Sequence, residues 1–360
     1  MRLGVEAAVV DGALVAGDVE ISDGLVEAVG LGGTGRGIAA PGFVDLHVHG
    51  FGGVDFAAAD LDGYRRAGEA LLAVGVTAFR PTFVTAPEDE LAASLRAAPA
   101  GGIGPRVLGC HLEGPFISPA RLGMHPESAR RDPDLALLER LLAAGEVAHV
   151  TLAPELDGAL ELVDRLVSGG VTVACGHTDA TAAEANAAFD RGATHVTHLF
   201  NAMRPFSHRD PGIAGAALTR DDVTVELILD GNHVSDEAAR LALRAAAGRV
   251  CLVTDAIAAA GIGDGPSMLG AVPVEVRGGV VRRLDGVLAG SVLSLREAVR
   301  SLLRLGASLE QAVDAATRVP ARAAGRDDVG SLRPGAAADV VVLDGDVEVT
   351  RVLVGGVEPL

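Results

Sequence analysis

Six side chains of metal-ligating or proton-transferring type stand at the ends of apolar runs in this chain. His47 and His49 close "FVDLHVH", Glu113 closes "RVLGCHLE", His177 closes "VTVACGH", His198 lies in "THVTHL" and Asp255 in "RVCLVTDA". Strand alternation puts His47 and His49 on one side of their segment. Imidazole and carboxylate groups without cysteine are the ligand set of a catalytic divalent cation, zinc first, with iron, manganese or cobalt as alternatives. Such an ion lowers the pKa of a water and polarises the bond to be cut. A neighbouring carboxylate can then take the proton and pass it to the leaving group, and Asp255 is the natural shuttle. Each residue also has an ordinary structural explanation. A lone strand-end histidine is usually a hydrogen-bonded framework group, Glu113 could be an acid at a helix N-terminus and Asp255 a helix cap. Repetition of one kind of residue at one place in successive units favours chemistry.

The elements that must position these groups are visible as eight apolar, β-branched runs, at 43–49, 76–83, 106–113, 147–155, 171–177, 194–199, 223–230 and 249–256. Between them lie Ala/Leu-rich stretches such as "DPDLALLERLLAAG" and "TAAEANAAFDRG", with an acid or Thr at the start and Gly at the end. This alternation predicts an α/β fold, a (β/α)8 TIM-like barrel, whose strand C-termini would bring all six groups to one face. A doubly wound open sheet lacks its Gly-rich first turn here. The two ends read differently, as short alternating runs punctuated by "DG", "GD" and "GGTGRG". They are expected to pair into one small β-sandwich domain, giving residues 1–41 and 331–360 to that domain and 42–330 to the barrel. A further hairpin is expected over 278–286, near the barrel mouth. Of the remaining histidines, His111 shares the face of Glu113 one layer deeper and should support it. His195, three residues before His198, is expected on the opposite face, and with His149 and His208 it is given a structural or solvent role.

Composition narrows the function. The chain has a formal charge of −18 and only 3% aromatic residues, which disfavours nucleic acid as a partner. All 30 basic residues are arginine, so an anionic substrate must be small and held by Arg, metal or backbone amides, and Schiff-base chemistry through lysine is excluded. The three cysteines sit in apolar runs, as buried small hydrophobes of a reducing compartment. The N-terminus lacks the apolar region of a signal peptide and no run is long enough to span a membrane, so a cytoplasmic protein is expected.

The ordered motifs "PGFVDLHVHG", "HLEGPFI", "GHTDA", "HLFNAM", "LDGNHV", "VTDA" and "LAGS" span most of the chain. Together they resemble the N-acetylglucosamine-6-phosphate deacetylase family of the amidohydrolase superfamily. "HLEGPF" and "HLFNAM" are the more specific of these, and "LRPGAAADVVVLD" resembles the split β domain of amidohydrolases. The resemblance implies a hydrolase in which Glu113, His177 and His198 are the principal metal ligands and Asp255 the acid/base. His125 would help polarise the acetamido carbonyl. Asn201 and Ala202 would contact the sugar phosphate through backbone amides, with Arg209 as its charged partner. His233 would be another substrate contact, and Leu288, Ala289, Gly290 and Ser291 a loop lining the site. It also implies a homodimer, because in some members the arginine reaches across the interface. Because His47 and His49 are retained, two ions can be held, with Glu113 bridging; the carboxylated lysine of many two-metal relatives is impossible here. An epimeric N-acetylhexosamine 6-phosphate (galactosamine or mannosamine series) as substrate, and a catalytically silent sugar-phosphate sensor, stand as alternatives.

Overall fold

The computed structural model describes residues 1–33 and 35–359. Its centre is a ring of parallel strands: β1 (Phe43–Val48), β2 (Val76–Val84), β3 (Cys110–Glu113), β4 (Val147–Leu152), β5 (Thr172–Cys175), β6 (His195–Val196), β7 (Thr224–Leu227) and β8 (Val250–Leu252). Each pairs with its sequence neighbour. The ring closes between β8 and β1, where the Asp255 N–H donates to His47 O and the His49 N–H to Ala256 O, both at 2.8 Å. A helix follows each strand, from Leu61–Ala73 after β1 to Leu295–Arg304 after β8. Side-chain caps fix where helices begin: Asp60 accepts from the Gly63 N–H, Asp134 from Leu137, Ser235 from Ala238, and Thr181 forms a reciprocal box with Glu184. The fold is therefore the (β/α)8 barrel that the alternation predicts.

The observed strands are shorter than the apolar runs. The run at 106–113 is broken at Gly109 (φ +76°), leaving Arg106–Val107 on β2 before β3 begins at Cys110. β5, β6 and β8 stop two or three residues before the site. The reason is local: His177, His198 and Asp255 take left-handed φ values of 46°, 29° and 49°, which carries the chain out of the ladder. This also overturns the expectation for His195. The kink at His198 breaks the alternation, and His195 lies inside the barrel with its ring 5.3 Å from that of His149, both buried. A solvent role holds only for the exposed His208.

The two ends share a sheet in the order Ala13–Ala16, Ala7–Val10, Ile38–Pro41, Val340–Leu343, Val349–Leu353. The hairpin of Asp18–Ser22 and Leu25–Leu31 covers it, around a core that includes Val5, Val19, Ile21, Val26, Val340 and Leu353. The expected mouth hairpin is displaced: Val272–Arg277 pairs with Val280–Arg283 about a Gly278-Gly279 turn, and Gly265–Leu269 adds a third strand. The two glycines (φ +58° and +75°) form the turn itself, not the start of the strand. This small sheet packs Leu269, Val274 and Val281 with Ile257, Met124 and Ala289 beside the mouth.

Candidate metal centre and active site

All six strand-end groups meet at the C-terminal rim of the barrel. His47 and His49 leave β1 on the same side, as alternation requires, with their Nε2 atoms 3.3 Å apart. His49 Nε2 is 3.0 Å, and His47 Nε2 3.7 Å, from Asp255 Oδ1. Glu113 Oε1 is 3.0 Å from His177 Nε2, 3.1 Å from His198 Nε2 and 3.6 Å from His47 Nε2. Its Oε2 is 3.5 Å from His49 Nε2 and 3.2 Å from His125 Nε2. The carboxylate thus stands between the β1 pair and the His177/His198 pair. Every one of these residues is buried.

The residues fit a cation by their proton positions. His49 Nδ1 is 3.1 Å from Thr82 O and His177 Nδ1 is 2.9 Å from Arg121 O. A carbonyl only accepts, so both rings carry their proton on Nδ1 and turn an Nε2 lone pair to the site. Lone pairs of His49 and Asp255, or of His177 and Glu113, crowded within about 3 Å repel unless a positive charge lies among them. Within His47, His49 and Asp255 all candidate ligand atoms lie within 4.8 Å of one another, and the same holds for Glu113, His125 and His177. The chain therefore carries two groups able to hold metal ions. In the second group His198 is the better third member. The Thr85 N–H donates to His125 Nδ1 at 3.2 Å, so His125 carries its proton on Nε2 and faces the site as a donor.

Burial and neighbouring charge compete at each acid. Burial alone would raise the Asp255 carboxyl; in the ion-free chain protons on His49 and His47 outweigh it and bring the carboxyl down to about 2, and an ion among the same Nε2 atoms would supply that positive charge. Burial likewise opposes ionisation of Glu113, and in the ion-free chain positive charge on the surrounding histidines, His47 first, holds it well below the ordinary range. Burial, then repulsion from His177, lowers His125 to about 4, which keeps it neutral. Beneath this layer a chain of side chains runs from Thr82 to His111 Nδ1 (3.2 Å), from His111 Nε2 to Thr151 (2.8 Å) and from Thr151 to Thr197 (2.8 Å). His111 thus braces the floor, as its position one layer below Glu113 predicts. Thr82, Thr151 and Thr197 had no motif to mark them.

A cavity of about 190 Å³ opens over the cluster, lined by His49, Glu113, His125, His177, His198 and Asp255 together with Asn201, Ala202, His233, Leu288 and Gly290. His233 Nδ1 is 2.8 Å from Asp230 Oδ2, which aims the rest of the ring inward. Several expected contacts differ. The Asn201 N–H donates to His198 O at 3.0 Å, and its amide group to His198 O and Leu199 O, so these donors are engaged within the turn. Ala289 points into the apolar cluster behind the wall, and the Ser291 hydroxyl donates to Thr254 O at 2.6 Å. Both brace the loop and do not line the cavity. Arg209 lies outside the cavity, solvent-exposed on the loop after β6. Glu226 was missed. Its carboxylate touches His47 from below, and the available signal was a lone acid inside the apolar run "VTVELILD".

Comparison with known proteins agrees with this geometry. The Amidohydrolase family model matches residues 38–358. The chain is 39% identical over 351 residues to an N-acetylgalactosamine-6-phosphate deacetylase of Escherichia coli O157:H7, covering 94% of this chain and 93% of that one. It is 41% identical over 342 residues to an N-acetylglucosamine-6-phosphate deacetylase of Mus musculus, covering 89% and 83%. Among solved structures, N-acetyl-D-glucosamine-6-phosphate deacetylase of Mycobacterium smegmatis superposes with a TM-score of 0.94 at 39% identity, covering 99% of this chain and 98% of that one. That structure is of an aspartate-to-alanine mutant in complex with N-acetyl-D-glucosamine-6-phosphate. The fold, the paired ligand groups at the strand ends and these matches lead to one conclusion: the chain belongs to the amidohydrolase family.

Proposed function

We propose that this protein hydrolyses N-acetylglucosamine 6-phosphate to glucosamine 6-phosphate and acetate. The observation that carries the reading is the convergence of Asp255, the His125 Nε2–H and the two ligand groups on one cavity. We assign His47, His49, Glu113, His177 and His198 to one or two divalent ions, zinc foremost, with Glu113 between the two groups; iron, manganese and cobalt suit the same ligands. A bound ion would supply Lewis acidity, to activate water and polarise the amide. Asp255, ionised in this site, takes the proton of the attacking water and returns it to the departing amine. His125, neutral and protonated on Nε2, donates to the carbonyl oxygen as negative charge grows there. Ala202 and Asn201 line the wall assigned to the sugar phosphate, and His233, braced by Asp230, adds a donor.

Arg209, exposed on its loop, is assigned to the substrate phosphate, in its own or a second copy's site, and a homodimer is proposed as the working form. No helix among the described residues is long and apolar enough to cross a membrane, and we place the protein in the cytoplasm. The chain is divided into residues 1–41 and 331–360 as the small β domain and 42–330 as the barrel. The Escherichia coli relative motivates a second reading, N-acetylgalactosamine 6-phosphate as substrate. Acetate release by metal-analysed protein from the glucosamine, galactosamine and mannosamine epimers tests both. Fastest turnover of the glucosamine epimer is expected; preference for another transfers the assignment to it, and ligand binding without turnover would make the protein a sensor.

A further inference from the structure

One carboxylate below the ligand cluster has no part in the reaction above. Glu226 sits in the middle of β7, fully buried. Its Oε2 is 3.3 Å from His47 Nδ1 and 3.4 Å from the His198 backbone N. Its backbone carbonyl accepts the Leu199 N–H at 2.8 Å, which pins the same turn after β6 from the main-chain side. One residue therefore grips a ligand from the first strand and the chain carrying a ligand from the sixth. A carboxylate in this place is costly unless it is both compensated and used. Compensation is at hand in Arg80, buried in the barrel interior, where burial lowers the guanidinium to about 10 with the Glu226 charge opposing that shift, so it remains a cation at neutral pH. Glu226 Oε2 already accepts the His198 N–H, and as an acceptor it calls for the His47 proton on Nδ1, leaving an Nε2 lone pair to face His49 Nε2 and Asp255 Oδ1, 3.3 and 3.7 Å away. A neutral or aliphatic residue at 226 would leave the His47 tautomer and ring angle free.

We infer that Glu226 is a positioning residue that fixes His47 and His198 in one geometry, so that the two ligand groups on opposite sides of Glu113 are set together. The inference rests on reading His47 as a metal ligand. The experiment strips full-length wild type, Glu226→Gln and His47→Gln of metal and reloads them with Zn²⁺ in chelator-buffered solution. Glu226→Gln is expected to need about 10- to 100-fold more free Zn²⁺ for the ion that His47→Gln loses, while KM at saturating metal and the melting temperature change little. Equal Zn²⁺ affinity in Glu226→Gln and wild type would overturn the inference. If the variant does not fold, ¹⁵N-histidine NMR of zinc-loaded wild type decides, with His47 assigned through His47→Gln: a proton on Nδ1 is expected, and a proton on Nε2 overturns the inference. Zn²⁺ uptake indifferent to His47→Gln would remove the ligand assignment itself, and both would fall.

Discussion

Asp255 reaches the cavity because its N–H donates to His47 O, its carbonyl accepts the Ser291 N–H, and its backbone is left-handed (φ 49°), with Oδ1 3.0 Å from His49 Nε2. Burial would favour the protonated acid, and positive charge among His47, His49 and Asp255 reverses that preference. Asparagine keeps the shape and loses the basicity. Asp255→Asn is expected to retain its metal by elemental analysis while kcat for acetate release falls by about 10² to 10⁴; near-normal turnover would remove Asp255 from the proton path. His125 works through a different atom. The Thr85 N–H on Nδ1 leaves the proton on Nε2, so His125→Ala should cost about 10² in kcat, as loss of one donor to a developing oxyanion does, and leave Zn²⁺ content unchanged. Loss of an ion instead would move His125 into the ligand set.

At the scale of elements, each site residue depends on a strand that ends abruptly. β5 stops at Cys175 so that Gly176 can pass close to β6 before His177 turns over the mouth. A Cβ at Gly176 would lie 2.6 Å from Thr197 Cβ and 2.9 Å from Thr151 Cγ2, inside the threonine chain that floors the site. Gly176→Ala must therefore push β5 and β6 apart. A loss of about 1–3 kcal/mol in denaturant unfolding is expected, together with weaker Zn²⁺ binding because His177 moves with its strand. Unchanged stability would mean that the barrel wall yields there without strain. The left-handed residues His177, His198 and Asp255 also explain why the strands fall short of the apolar runs. A run of apolar residues reports burial, whereas strand membership ends where the dihedral angles leave the ladder.

The whole molecule carries its polar groups inward, and this sets its response to acid and to chelators. Burial lowers His195 to about 4 and puts His111 and His149 well below their ordinary value of 6.5. As pH falls below about 6.5 the unfolded chain takes up protons that the native barrel refuses, so this stability is complete above that pH and is lost on acidification. Asp45 acts in the opposite sense: burial pushes its carboxyl up to about 7, so the native state keeps a proton that the unfolded chain releases. With His125, four histidines against one aspartate leave a net loss of about 1–4 kcal/mol per pH unit between pH 6.5 and 4. Denaturant titrations across that range check it, and stability that is flat or rises on acidification would contradict it. Chelation should also lower the melting temperature, because an ion at 100 times its Kd stabilises the folded chain by about 2.7 kcal/mol.

Much of this was legible in residue order. Eight apolar runs separated by capped, amphipathic stretches leave few ways to bury both faces of a sheet other than a barrel, and the "HVH" spacing alone puts His47 and His49 together. The ligand types, recurring where strands end, pointed to a divalent cation, and the absence of lysine removed a bridge and a mechanism. The inward turn of His195, the place of Glu226 under His47, the engagement of the Asn201 donors within their own turn and the exclusion of Arg209, Ala289 and Ser291 from the cavity were decided only in three dimensions. The physical reason is that alternation and hydropathy describe a residue relative to its own strand. Which lone pair faces which proton across the barrel depends on dihedral angles at a few kinked positions, and on contacts between residues nearly two hundred positions apart.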